Sequence, residues 1–235
     1  MITTSETLKT GKIMIYNFAD IRWDIRPKNG FVCDMLAPFK SEGELADVII
    51  KPFDGDADAE LKNLLYEVNL QLLGFDGLML HSAAIAYKNK AYLFAAPSGT
   101  GKTTHIMLWK KYLRERVTVI CGDKPFLRLT DSGVTVYGGP WQGKERLGTG
   151  CAYPLGGIFF LNRAEQNDAV PATTAQKLCG CMNSVLFELG GEQRLRTVEI
   201  LSEVCKRVPA FMLYCNMEKD AVQTVLSHID EGAVI

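Results

Sequence analysis

Apolar residues recur along this chain in two rhythms, at alternate positions in some runs and at every third or fourth in others. The first rhythm, mixed with short continuous apolar runs, predicts strands at Lys12-Ile13-Met14-Ile15-Tyr16, Ile21-Arg22-Trp23-Asp24-Ile25 and Asp47-Val48-Ile49-Ile50-Lys51. Pro27, Asn29-Gly30 and Pro38 separate them. A helix is predicted from about Ala59 to Leu73, with Leu61, Leu64, Leu65, Val68 and Leu72 on one face. The stretch Asp54-Gly55-Asp56-Ala57-Asp58 before it resembles the start of a calcium loop, but the glycine and the distal glutamate are misplaced, so it reads as a turn.

Leu78 through Tyr87 predicts a strand, and Lys90 through Ala95 a buried one. Asn89 in the short link between them tolerates the left-handed region, as a hairpin needs. Thr104 through Leu113 has helical spacing, and Val117 through Asp123 is a buried strand ending in an acid. Phe126–Leu129 and Val134–Tyr137 form a second hairpin across Asp131-Ser132-Gly133. A loop from Gly138 to Leu155 precedes a strand at Gly157–Leu161. Helices at about 173–189 and 192–206, a strand at Ala210–Tyr214 and a helix at about 218–229 complete the reading. So much hairpin argues for a mixed sheet over a purely parallel one. The expected class is α/β: a strand-rich segment with a helix over residues 1–75, packed on a nucleotide-binding domain over 76–235.

Ala96-Pro97-Ser98-Gly99-Thr100-Gly101-Lys102-Thr103, followed by Thr104, joins the buried strand to the helix and carries the strongest chemical signal. A strand turning through glycines into a helix N-terminus aims several backbone N–H groups at one spot, and the helix dipole adds to the pull on a phosphate. Gly99 and Gly101 permit φ > 0 and close approach. In such a loop Lys102 reaches the β and γ phosphates and the Thr103 hydroxyl ligates Mg²⁺. The alternative is a Gly/Ser/Thr-rich surface turn. The phosphoryl-transfer template also asks for a strand-end acid on the metal; Asp123 fits that place, and also fits an ordinary turn residue. His81, alone in an apolar run, is either a satisfied interior group or an active-site one.

The remaining features narrow the picture by exclusion. With 26 Lys plus Arg against 27 Asp plus Glu, the net charge of −1 gives no case for nucleic acid or an anionic membrane. Residues 1–7 have no apolar core of signal-peptide type, and no run approaches a membrane span, so a cytoplasmic protein is expected. Seven cysteines, an odd count mostly in apolar runs, suit reduced packed thiols. Cys179 and Cys181 lack the partners a zinc site needs.

His81, the segment from Ala96 to Thr103, and an acid ending the next strand together resemble the kinase core of HPr kinase/phosphorylases and their shorter relatives. Ser98 through Thr104 is also similar to the phosphate loop of ATP-dependent phosphoenolpyruvate carboxykinases, which share that fold. Gly122-Asp123-Lys124-Pro125, Leu127-Arg128-Leu129, Gly139 through Glu145, and Pro154 through Leu161 add to the likeness. The resemblance implies Lys102 as phosphate ligand, Thr103 and Asp123 as magnesium ligands, and His81 near the γ phosphate. Those kinases carry two adjacent aspartates at the strand end, the first acting as base; here the first position is Gly122. Asp123 then covers both tasks, or an acid such as Glu145 supplies the base, or phosphate is not transferred.

The implied activity is ATP- and Mg²⁺-dependent transfer of a phosphoryl group to a Ser or Thr hydroxyl of a small protein or peptide. A catalytically silent ATP-binding partner protein and a carboxykinase-like small-molecule enzyme are the alternatives. Lys144 and Glu145, in a glycine-rich loop after Trp141, are candidates to close over the site, with an ordinary solvated loop as the alternative. Arg163 follows a core strand and is a candidate phosphate contact or a surface arginine. A homo-oligomer is left open, and the ring assembly of the resembled kinases is not carried over to this chain.

Overall fold

The computed structural model describes residues 14–229 apart from 44, 188 and 189. Two hairpin residues with positive φ, Ala19 (57°) and Asp20 (53°), fold β1 (Ile15–Phe18) back on β2 (Ile21–Ile25). Lys12 and Ile13 of the expected first strand lie outside the described residues. With β3 (Lys40–Ser41) and β4 (Val48–Ile50), β1 and β2 make a four-stranded sheet in the order β3-β1-β2-β4. Between β2 and β3 the chain forms α1 (Gly30–Leu36), a helix the pattern did not predict because seven residues hold too few turns to show a period. Asp56 caps α2 (Ala57–Leu72), accepting the Ala59 N–H at 2.9 Å, so the calcium-like acids form a helix start.

The larger sheet has nine strands and is mixed, as the hairpins predicted. Its path runs β5 (Gly77–Met79), β9 (Phe126–Thr130), β10 (Gly133–Tyr137), β11 (Ala152–Arg163), β7 (Lys90–Ala95), β6 (Ser82–Tyr87), β8 (Val117–Cys121). β13 (Ala210–Cys215) runs parallel to the second half of β11 and carries β12 (Asp168–Pro171), a strand not predicted. The run read as one strand from Leu78 to Tyr87 is two. β5 pairs with β9 while β6 pairs with β7 and β8, and the chain changes partners at Leu80-His81. There the His81 N–H is taken by the Ser184 carbonyl at 2.7 Å and the Ser82 N–H by Leu80 at 2.8 Å.

Successive side chains of β7 point to opposite faces, so Leu93 and Ala95 join one core and Tyr92 and Phe94 the other. On Phe94's side lie α3 (Lys102–Leu113) and α6 (Lys219–Ile229), burying Ile106, Trp109, Val222 and Leu226. On Leu93's side, Cys181 of α4 (Thr174–Met182) and Ile200, Leu201 and Val204 of α5 (Gly191–Arg207) are buried. Each such aliphatic or aromatic side chain contributes about 1.5–3 kcal/mol. The helix expected to reach residue 189 stops at Met182, because the Ser184 hydroxyl bonds back to Gly180 and Val185 bridges to Leu80; residues 188 and 189 lie outside the description. A third core fuses the small sheet to the large one, as Trp23, Phe18, Val68 and Leu72 meet Phe126, Tyr137 and Trp141. Phe18 stacks on both Trp23 and Phe126, at 5.1 and 5.4 Å.

β10 leaves the sheet through Gly138, where a Cβ would stand 1.8 Å from the Thr149 carbonyl oxygen and 2.6 Å from that of Ile120. Both neighbours are backbone and cannot swing aside. Gly138→Ala should therefore lower stability by about 1–3 kcal/mol, the range for forced overpacking, read as a lower urea midpoint with unchanged slope; a wild-type midpoint would contradict this packing.

Candidate functional site

The loop from Ala96 to Gly101 leaves β7 and enters α3 with Gly99 at φ 78° and Gly101 at φ 122°. A side chain would strain both. The helix starts at Lys102, two residues earlier than its apolar spacing indicated, so its free N–H groups face the loop. The Lys102 ammonium is folded back, donating to the carbonyls of Ala96 at 2.8 Å and Pro97 at 3.4 Å. Burial lowers its pKa, opposed by the nearby Asp123 charge. From the other side, the Arg163 guanidinium donates to the carbonyls of Thr100 at 3.0 Å and of Gly99. It braces the loop from the end of β11, where sequence reasoning offered only a phosphate contact or a surface residue.

β8 ends at Cys121, and Asp123 stands two residues beyond it in a segment tied by backbone on two sides. Ser82 N–H reaches the Asp123 carbonyl at 3.0 Å, Gly122 N–H the Leu147 carbonyl at 2.7 Å, and Lys124 N–H the Trp141 carbonyl at 3.2 Å. Gly122 is required by this packing: a Cβ there would lie 2.9 Å from the Gln142 carbonyl oxygen and 3.1 Å from that of Leu147. No acid fits at 122 while the strap 139–149 crosses it. The same strap carries Gly143 so near Asp123 that its Cβ would sit 3.2 Å from that of Asp123 and 3.7 Å from Glu145 Oε2.

His81 faces Asp123 with Nε2 3.4 Å from Oδ1, while the Lys124 ammonium pairs with Oδ2. Burial pushes the Asp123 carboxyl up, but hydrogen bonds from His81 and Lys124 and their charges outweigh it, and it is held down at about 2. Lys124 went unremarked in sequence as a site residue, although its place next to the strand-end acid was a signal.

These parts meet in one cleft of about 550 Å³. Ser98, Gly99, Gly101, Lys102, Thr103 and Thr104 line one wall, and His81, Gly122, Asp123, Lys124, Gly143, Lys144 and Glu145 the other. Ala96, Pro97 and Thr100 act behind the wall, and Arg163 lies on the far side of the loop, in a neighbouring cavity of about 460 Å³ with Leu108, Leu161 and Met217. Three lysines against two carboxylates, at a helix N-terminus, make the cleft attractive to an anion. Among the described residues no group of three or more His, Cys, Asp or Glu is arranged to cage a metal. The Thr103 hydroxyl and Asp123 carboxylate are hard oxygen donors of the kind Mg²⁺ takes alongside phosphate oxygens.

The class defined by this fold and cleft is a mixed α/β protein with an anion-attracting glycine loop. No protein-family model and no curated protein matches the chain. Among solved structures it is similar to the HPr(Ser) kinase/phosphatase from Coxiella burnetii, at 10% identity and a TM-score of 0.31, over 53% of this chain and 87% of that one. A likeness of that grade bears on no residue of the site. No helix among the described residues is long and apolar enough to cross a membrane.

Behind the loop, His105 is fully enclosed, accepting the Trp109 indole N–H at 3.1 Å and lying 4.5 Å, centroid to centroid, from Phe94. Burial pulls its pKa from 6.5 to about 3. The folded chain therefore refuses a proton that the unfolded chain accepts below pH 6.5, and stability falls by about 1.4 kcal/mol per pH unit as pH drops through that window. Asp123, with its lowered pKa, acts in a more acidic window, supporting the fold above its ordinary value of 3.8 and ceasing to as pH falls through about 2. Urea midpoints of wild type and His105→Gln between pH 7 and 5 should diverge, the variant losing the acid slope; parallel curves would show the imidazole to be accessible to protons.

Proposed function

We propose that the chain is a phosphotransferase of the HPr-kinase-like type, moving the γ-phosphoryl group of ATP to a Ser or Thr hydroxyl of a small protein or peptide. The observation that carries this reading is the convergence of Lys102, Thr103, Asp123, His81 and Glu145 on one cleft, from four separated points of the sequence. The motif likeness of residues 96–104 and 122–125 supports it. In this reading the backbone N–H groups of Gly99 to Thr103 and the Lys102 ammonium hold the triphosphate. Lys102 must then exchange its two carbonyl partners for phosphate oxygens, while Arg163 keeps the loop in shape. The nucleoside lies in the cavity beyond the loop, between Leu108, Leu161 and Met217. Thr103 and Asp123 would hold Mg²⁺, which when bound would neutralise charge on the phosphates.

The acceptor oxygen forms a bond to the γ-phosphorus as the bond to the β–γ bridging oxygen breaks, and ADP leaves with that electron pair. The strap excludes an acid at Gly122 and brings Glu145 to the cleft instead, so the hydroxyl proton goes to Glu145. His81 positions the Asp123 carboxylate from its other side. A general base of this kind is worth about 10²–10⁴-fold.

A second reading, an ATP-binding partner protein without turnover, draws on the Asp123–Lys124 ion pair, which competes with a metal for the carboxylate. Calorimetry and ADP release separate the two. Lys102→Ala should weaken ATP binding at least about tenfold, the loss of one charged contact worth ~1.4 kcal/mol. Glu145→Gln should keep ATP binding and slow Mg²⁺-dependent phosphate transfer roughly 100-fold. Tight ATP binding with no ADP formed by wild type would favour the silent protein.

A further inference from the structure

A second cavity, of about 380 Å³, adjoins the cleft on the side of Asp123 away from the glycine loop. The two share Asp123, Lys124, Gly143 and Lys144, and no residue of 96–104 lines the second one. Its apolar lining comes from Phe31 and Met35 of α1, Leu61 of α2, and Trp141 of the strap. Phe31 is 49% exposed at its edge, a large apolar group without enough cover, and the Arg146 guanidinium lies 5.9 Å from its ring centroid. Among its charged lining residues, Lys144 and Arg146 outnumber Asp34, since Lys124 and Asp123 satisfy each other.

The ligand such a place fits has two unlike ends. One end reaches Asp123, where the phosphoryl group would be handed over, and carries the hydroxyl. The other is apolar, and the volume holds one or two side chains and not a folded surface. The basic part of the lining adds a preference for negative charge between or beside them. We infer that the cavity between α1, α2 and the strap receives a large apolar side chain of a peptide acceptor, within a few residues of the phosphorylated hydroxyl and next to an acidic one. This rests on the phosphotransferase reading and deepens it, turning the N-terminal layer into the element that selects the substrate.

The test uses the full chain with labelled ATP, Mg²⁺ and an array of short Ser and Thr peptides in which each flanking position is varied. Incorporation should rise at least about tenfold with Leu, Met, Phe or Trp at one flanking position over Ala there, and further with Asp or Glu beside it. Phe31→Asp, at a half-exposed position where the fold tolerates a charge, and Met35→Lys should each erase the apolar preference while ATP affinity by calorimetry stays at the wild-type value. Thermal melts of both variants confirm folding, and the milder Phe31→Ala should weaken the preference in the same direction. Incorporation without an apolar preference, a preference untouched by both charged variants, or ADP formation stimulated only by small hydroxyl compounds would overturn the pocket and leave the phosphotransferase standing. A wild-type chain that binds no ATP would overturn both.

Discussion

The site depends on how the three residues Gly122 to Lys124 are pinned. They follow the last residue of β8, and their backbone is tied to Ser82 on one side and to Leu147 and Trp141 on the other. Backbone bonds of this kind leave an acidic side chain little freedom to wander, so Asp123 meets the cleft from a fixed point. The tie needs a glycine at 122, because the strap's carbonyl oxygens occupy the space a Cβ would take. Exclusion of a side chain at that position and delivery of Glu145 to the cleft are thus two results of one packing arrangement.

The rest of the molecule serves that geometry. The central strand β7 lies between an antiparallel neighbour, β6, and a parallel one, β11. Its C-terminal end, where the glycine loop begins, is therefore flanked by the start of β6 with His81 and by the end of β11 with Arg163. Helices on both faces exclude water from this sheet, and the small N-terminal sheet closes a third core over Phe126 and Trp141. Trp141 belongs to that core, to the strap and to the apolar cavity at once. Its indole N–H is buried without a partner among the described residues, a cost accepted for aromatic packing against Phe18 and Phe126.

Two charged groups of the cleft already have partners within it. Asp123 is ionised because His81 and Lys124 compensate its burial, and the Lys102 ammonium donates hydrogen bonds to the carbonyls of its own loop. Lys102 can exchange those carbonyls for phosphate oxygens, and Asp123 its ammonium partner for a cation, which is the physical content of the proposed activity. Nothing of this kind surrounds His105, whose neutral ring is a packing element that happens to follow the loop.

Local patterns in the chain announced most of the strands and helices, the mixed sheet, and the glycine loop with Lys102 at a helix start, since each rests on neighbours a few residues apart. They also singled out His81, Asp123 and Glu145 by residue type, without saying whether the three could meet. They missed α1, too short to show a period, and ran Leu78 to Tyr87 together because an apolar run does not reveal a change of strand partner. Folding supplied what depends on contacts across scores of residues. Arg163 turned out to brace loop carbonyls some sixty positions upstream, Gly122 to be forced by strap carbonyls 20 and 25 positions downstream, and His81 to face Asp123 across 42 positions. Distances between segments that no local preference encodes arise only when the sheets and their cores close together.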